Sequence, residues 1–122
     1  MLTDTVEYDY TATAAGHVWT AGACPLDEHG AVVAPGDLAA QTVRTLDNLE
    51  AALSGAGAAL GDVVKTTIYV ASSDRGDLGV AWDLYRDRLG AHRPPATLLG
   101  VAVLGYPGQL VEIEAVACIA GR

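Results

Sequence analysis

The chain has 122 residues, 51% of them hydrophobic and 18% charged. That length suits one domain spanning residues 1–122, and the composition excludes intrinsic disorder. Seven Lys and Arg against fifteen Asp and Glu leave a formal charge of −8. Such a charge repels phosphate backbones and anionic lipid, so neither nucleic acid nor a membrane is an expected partner. Lys65 is the only lysine, and the six arginines are scattered. No apolar run approaches the ~18 residues of a membrane helix. The first residues, Met1-Leu2-Thr3-Asp4-Thr5-Val6-Glu7, carry acid where a secretory leader needs base. Two cysteines are too few for a disulfide framework, so a cytoplasmic protein with reduced thiols is expected.

In chain order, residues 5–13 place Val6, Tyr8 and Tyr10 at alternate positions and suit a strand. Residues 17–22 suit a second, with Ala14-Ala15-Gly16 turning between them. Residues 26–33 contain a turn signal, Asp27-Glu28-His29-Gly30. From an N-cap at Asp37 to about residue 56, Leu38, Thr42/Val43, Leu46, Leu49 and Leu53 recur three and four apart. This is one helical face, with Arg44, Asp47, Asn48 and Glu50 largely on the other. Residues 62–71 are dense in β-branched side chains and predict a strand. Helical spacing returns over residues 77–89 and stops at Gly90, before Pro94-Pro95. Residues 97–104 and 110–119 read as two further strands around the loop Gly105-Tyr106-Pro107-Gly108.

Two helices on one side of a single mixed sheet satisfy this order as an α+β two-layer sandwich. One sheet face is then left uncovered. In the last strand, alternation puts Val111, Ile113, Ala115, Ala117 and Ile119 on a core face, and Leu110, Glu112, Glu114, Val116 and Cys118 on the other. Lys65, Thr67 and Tyr69 share a side in the same manner. Apolar and ionisable groups mixed on an open face point to an oligomer with a polar site in its interface, the alternative being an ordinary solvent-facing sheet.

Glu112 and Glu114, two apart on one strand, point the same way about 7 Å apart at Cβ. Partial burial would raise one of them into an acid or base; the plainer reading is pairing with Lys65 or an arginine. Cys24, in Ala21-Gly22-Ala23-Cys24-Pro25, is either a nucleophile that needs a nearby base or a small buried hydrophobe. His17, His29 and His92 have no metal-ligand spacing, so neither a metal nor another cofactor is expected. The glycines at 55, 57 and 61 follow a helix and do not open one, so they form no phosphate loop.

Several stretches in this order resemble the Rid family (RidA/YjgF, reactive-intermediate deaminases). They are residues 18–27 (Val-Trp-Thr-Ala-Gly-Ala-Cys-Pro-Leu-Asp), Gly30, Gly36-Asp37 with Gln41-Thr42, Leu46-Asp47-Asn48-Leu49, residues 62–70, Pro95-Ala96 and residues 110–117. The resemblance implies a chorismate-mutase-like fold, a homotrimer with clefts between subunits, and hydrolysis of enamines and imines to carbonyl compounds and ammonia. It implies that Glu112 positions the attacking water, that Tyr8 and the backbone of Gly22 face a small-molecule ligand, and that Ala21, Cys24, Trp82, Thr97 and Leu99 shape the same cleft. Three positions depart from the family pattern. Thr97 stands where an arginine grips the substrate carboxylate, Ala21 replaces a serine, and Trp82 takes the place of an asparagine. Losing a buried contact to a carboxylate typically costs ~2–5 kcal/mol, so aminoacrylate-type activity is not expected to carry over. Two functions stay open on these grounds: a hydrolase acting on a less polar enamine or imine, and a non-catalytic trimer that binds a metabolite or regulates a partner enzyme. A ribonuclease reading attaches to an older name of the family, and the charge of −8 without a basic groove argues against it.

Overall fold

The computed structural model describes residues 1–121. Strands β1 (Thr11–Ala14) and β2 (His17–Thr20) form a hairpin closed by Ala15-Gly16. Both turn residues have positive φ, 50° and 77°, the mirror-image turn whose twist matches that of paired strands. The first strand is shorter than residues 5–13. After Thr20 the chain leaves the hairpin, and Ala23 pairs with Ile113 of the last strand, so among the described residues no strand pairs with residues 5–9. The bracketing turn at 27–30 forms as expected. Asp27 Oδ1 accepts from the backbone N–H groups of His29 and Ala31, which together hold its carboxyl below the usual carboxylate range.

Helix α1 (Leu38–Gly55) starts where its sequence directs, with the Asp37 carboxylate accepting from Ala40 N at 3.0 Å. Leu46, Leu49 and Leu53 are buried together with the polar Gln41, Thr42, Thr45 and Asn48. Asn48 therefore departs from the solvent-facing position that helical spacing suggests. It is only 7% exposed because its amide is consumed by carbonyls of a loop packed on the helix. A single 3₁₀ turn (Leu60–Asp62) leads into β3 (Val63–Val70), and a bulge between Val63 and Lys65 leaves Val64 exposed. Helix α2 (Arg75–Leu89) begins earlier than residue 77, because the Asp74 side chain caps it by accepting from Gly76 N at 2.8 Å. It ends at Gly90, whose φ of 61° suits glycine. Strand β4 (Ala96–Gly100) lies parallel to β3 and stops with it at the level of Val70, short of residue 104. Strand β5 (Val111–Cys118) closes the fold.

The sheet order is β1-β2-β5-β3-β4, mixed because only the β3–β4 pair is parallel. Both helices lie on one face, the two-layer α+β arrangement expected from the element order. Val18, Ile68, Val70, Val111, Ile113 and Ala117 meet Leu46, Leu49, Leu53, Ala81 and Tyr85 there. The buried Tyr85 hydroxyl is satisfied by Thr66 Oγ1 at 2.7 Å. The other face carries Trp19, 54% exposed, opposite Val116, then Glu114, Tyr69, Thr67, Lys65, Thr97 and Leu99. No layer formed by the described residues covers it. Among the described residues, no helix is long and apolar enough to cross a membrane.

Candidate functional site

Glu112 is the second residue of β5 and projects from the open face, at the end of the strand where two loops converge. The first loop leaves β2 and crosses β5 through two backbone bonds, Ala23 N to Ile113 O at 2.7 Å and Ile113 N to Ala23 O at 3.1 Å. That crossing lays Gly22 directly against the Glu112 side chain. A Cβ on Gly22 would sit 2.1 Å from Glu112 Oε2, so the position admits only glycine unless the carboxylate moves. From below, Asn48 Nδ2 donates to the carbonyls of Cys24 and Leu26 at 2.8 and 2.9 Å, tying the loop to α1.

The second loop, between β4 and β5, brings Tyr106 and Gln109. Gln109 is 3% exposed and uses both ends of its amide. Its Oε1 accepts from Tyr106 N at 3.2 Å, and its Nε2 donates to Val111 O at 3.0 Å and to Glu112 Oε1 at 3.1 Å. The Cys24 thiol lies 3.4 Å from the same Oε1 and 3.3 Å from Gly22 O, so its single proton is directed at one acceptor or the other. Burial, followed by the adjacent Glu112 charge, pushes the Cys24 thiol up to about 12. A thiol shifted in that direction keeps its proton at neutral pH, which favours the reading of Cys24 as a buried thiol over that of a nucleophile.

Glu112 Oε1 is thus held by Gln109 Nε2, with the Cys24 thiol as a second donor within reach, while Oε2 accepts no bond from any described residue and borders the cleft. The cleft encloses about 500 Å³ and is lined by Tyr8, Ala21, Gly22, Cys24, Gly105, Tyr106 and Glu112. Tyr8 stands at its mouth with the ring half-exposed and the ring of Tyr10 edge-on at 6.2 Å. Desolvation, then the Tyr106 hydroxyl and Cys24, hold the Tyr8 phenol proton more tightly than usual. Tyr10 is shifted the same way, chiefly by burial. A small closed pocket of about 20 Å³ continues behind Tyr8 toward Asn48 and Ala52, room for roughly one water.

Five of the residues singled out in the sequence therefore converge within the single chain: Tyr8, Ala21, Gly22, Cys24 and Glu112. Three lie elsewhere. Thr97 and Leu99 are on β4, beyond β3 on the open face, where Thr97 Oγ1 accepts from Lys65 Nζ at 2.8 Å. Trp82 belongs to the helix layer behind the sheet, its ring tilted on Tyr85 at 5.2 Å, beside Arg86 and Arg93. Sequence reasoning passed over Gln109, Tyr106 and Asn48. A signal existed for Gln109: it shares strand alternation with the core-facing Val111 and Ile113, and a polar amide in that series must find buried partners. Among the described residues, no group of three or more His, Cys, Asp or Glu is placed to hold a metal ion.

The arrangement is a half-buried carboxylate with one oriented and one open oxygen, surrounded by neutral O–H and S–H donors. Such a carboxylate can hold a water and take its proton. Against known proteins, the sequence model described as Endoribonuclease L-PSP matches residues 2–119. A RutC family protein of Pyrococcus abyssi is 32% identical over 110 residues, covering 90% of this chain and 84% of that one. The 2-iminobutanoate/2-iminopropanoate deaminase of Escherichia coli is 33% identical over 99 residues, covering 80% and 76%. Among solved structures, Rv2704 of Mycobacterium tuberculosis, a member of the YjgF/YER057c/UK114 family, superposes with a TM-score of 0.80 at 33% identity over 98% of each chain. With the match running nearly end to end, this chain belongs to the endoribonuclease L-PSP family, the Rid/YjgF group that its sequence resembles.

Proposed function

We propose that this protein hydrolyses an enamine, imine or similarly activated small molecule, with Glu112 as its catalytic residue. The observation that carries this reading is the asymmetry of the Glu112 carboxylate. Gln109 holds Oε1, with the Cys24 thiol within reach, and Oε2 is left open over Gly22. A water held by Oε2 adds to the C=N carbon, its proton passing to the carboxylate and the π pair to nitrogen. The proton is then returned to that nitrogen. Transfer of the hydroxyl proton to the nitrogen, with cleavage of the C–N bond, then releases ammonia and leaves a carbonyl compound. An enamine joins the same path once its β-carbon is protonated. The net change is imine plus water to carbonyl plus ammonia, the chemistry named for the deaminase relative.

The working assembly in this reading is a homotrimer in which neighbouring copies cover the open face around Trp19, Val116 and Tyr69 and complete the cleft. Thr97 and Leu99, remote from Glu112 within one copy, lie on the face that such packing would bring to a neighbour's cleft. A second reading, a non-catalytic metabolite-binding trimer, draws support from Thr97, which offers no charge for a substrate carboxylate and is already bonded to Lys65. Ammonia release decides between them. Purified protein is mixed with enamines and imines generated in situ, with and without a carboxylate, beside Thr97→Arg and Glu112→Gln variants. Turnover above buffer that Glu112→Gln removes supports the hydrolase. Failure of both the wild type and Thr97→Arg to exceed buffer rejects it in favour of the binding reading.

A further inference from the structure

We infer that Lys65 and Thr97 of one copy act together as a carboxylate-binding fork for the next copy's cleft, so that the substrate is an imine or enamine bearing a carboxylate. The inference rests on the hydrolase and trimer readings and names the substrate class of that same site.

The neighbours of Lys65 carry the argument. It is the only lysine of the chain and lies on the open face of β3. Its partner on β5 is Val116, and Glu114 stands one diagonal step away, opposite Thr67. An ammonium so placed is expected to pair with that carboxylate, and it does not. Glu114 takes the Tyr69 hydroxyl, and none of the ion pairs among the described residues includes Lys65. Lys65 Nζ reaches the other way, to the edge strand β4, and donates to Thr97 Oγ1 at 2.8 Å. That bond uses one ammonium proton and leaves two, while the Thr97 hydroxyl keeps its own proton to donate. The two donors therefore stand 2.8 Å apart, close enough to take the two oxygens of one carboxylate, and one of them is charged. Thr97 alone offers no charge. The pair offers charge and a two-point contact of the kind a guanidinium gives. In a chain of net charge −8, an ammonium without a carboxylate partner is also a local point of attraction for an anion.

Within one copy this pair is out of reach of Glu112. Lys65 sits four residues along β3 from Tyr69, the partner of Glu112, about 13 Å away. Strand β4 ends the sheet order, so a neighbouring copy packed over the open face meets Thr97 from the uncovered edge. The two halves of the completed cleft then divide the work. Glu112 Oε2 keeps the attacking water, and the Lys65–Thr97 fork positions the substrate by the end that does not react.

Titration calorimetry of the intact protein with pyruvate and pyruvamide, alike in shape and different in charge, tests the binding. Pyruvate is expected to bind at least about tenfold more tightly. Lys65→Met should erase that preference, Lys65→Arg should keep most of it, and Thr97→Val should weaken it. In ammonia release, Lys65→Met should lower the ratio of turnover on carboxylated over carboxyl-free imines about ten- to a hundredfold, chiefly through KM. Co-expressed Glu112→Gln and Lys65→Met chains, isolated as mixed trimers, should regain about one third of wild-type turnover on carboxylated imines. In such a ring one interface joins an intact Glu112 to an intact Lys65. Equal or undetectable affinity for the two probes, or a pyruvate preference that survives Lys65→Met, would overturn the inference. So would mixed trimers no more active than either parent where the wild type releases ammonia. Its failure is distinguishable from that of the hydrolase reading. Ammonia release from carboxylated imines that is indifferent to Lys65→Met sinks only the fork. A pyruvate preference that Lys65→Met removes, without ammonia release from any imine, sinks only the catalysis.

Discussion

Glu112 and Glu114 occupy the same strand and the same face, both partly buried, yet they sit in two different kinds of surroundings. Glu114 lies mid-sheet, flanked by regular strands, and its Oε1 takes the Tyr69 hydroxyl from the next strand. Glu112 lies where the sheet ends and two loops close in, bringing Gly22, Cys24 and Gln109 to it from three separate places in the chain. Strand alternation places both carboxylates on one face; only the irregular segments distinguish them. A regular lattice of strands gives a side chain neighbours of fixed kind, whereas loops at a strand end can converge unrelated groups on one atom.

The largest expected separation between the two regions is catalytic. Glu112→Gln should lower ammonia release by about 10²–10⁴-fold, the usual contribution of a positioned acid or base. Glu114→Gln should stay within about tenfold, since roughly 1.4 kcal/mol covers the adjustment of a neighbouring group. Parallel progress curves for the two variants check this, and comparable losses would dissolve the contrast.

The next test concerns Cys24. With its thiol pushed up to about 12, the thiolate at neutral pH is depleted roughly 10³-fold relative to an ordinary cysteine near 9. Alkylation by a mild electrophile should be slower than that of an unstructured thiol by a similar factor. The raised value also fixes a sign for stability. The folded state holds this proton more tightly, so the associated stabilisation is complete below about pH 9 and is lost as pH rises toward about 12. Cys24→Ala should flatten that part of the alkaline unfolding curve relative to the wild type.

Asn48 shows how far the sequence could be read and where it stopped. Helix α1, its Asp37 cap and its leucine face were legible because periodicity and capping are local properties. Asn48 lies at the edge of that face, where spacing alone assigned it to solvent. Its burial depends on a loop that is held there by the crossing of Ala23 over β5, a contact between residues far apart in sequence. The same holds for the short β1 and for the curtailed β4, whose lengths are set by partners distant in sequence. Of the residues that line the candidate cleft, Glu112, Gly22 and Cys24 fall in stretches that carry the family resemblance, Tyr8 is singled out only as what that resemblance implies, and Gln109 falls in none of those stretches. Asn48→Ala should cost about 2–4 kcal/mol in denaturant unfolding, because two buried carbonyls lose their donor together. A cost below about 1 kcal/mol would mean that water replaces the amide and that the cleft floor is not rigid.

The smallest expected effect lies in the mid-sheet region. Tyr69→Phe deletes the hydroxyl that Glu114 accepts and should cost only about 1 kcal/mol, since the pair is half-exposed and water competes for both groups. Its pH dependence is more telling than its size. The hydrogen bond to Glu114, followed by desolvation, raises the Tyr69 phenol above its ordinary value. Its contribution is therefore whole at neutral pH and lost only as pH climbs past the ordinary tyrosine range, about 10. The wild type and Tyr69→Phe should thus differ by a constant amount at neutral pH and converge in strong alkali, with ammonia release unchanged between them. If Tyr69→Phe instead depressed ammonia release as Glu112→Gln does, the mid-sheet carboxylate would belong to the reacting site of the assembled protein, and the division of labour along β5 would have to be redrawn.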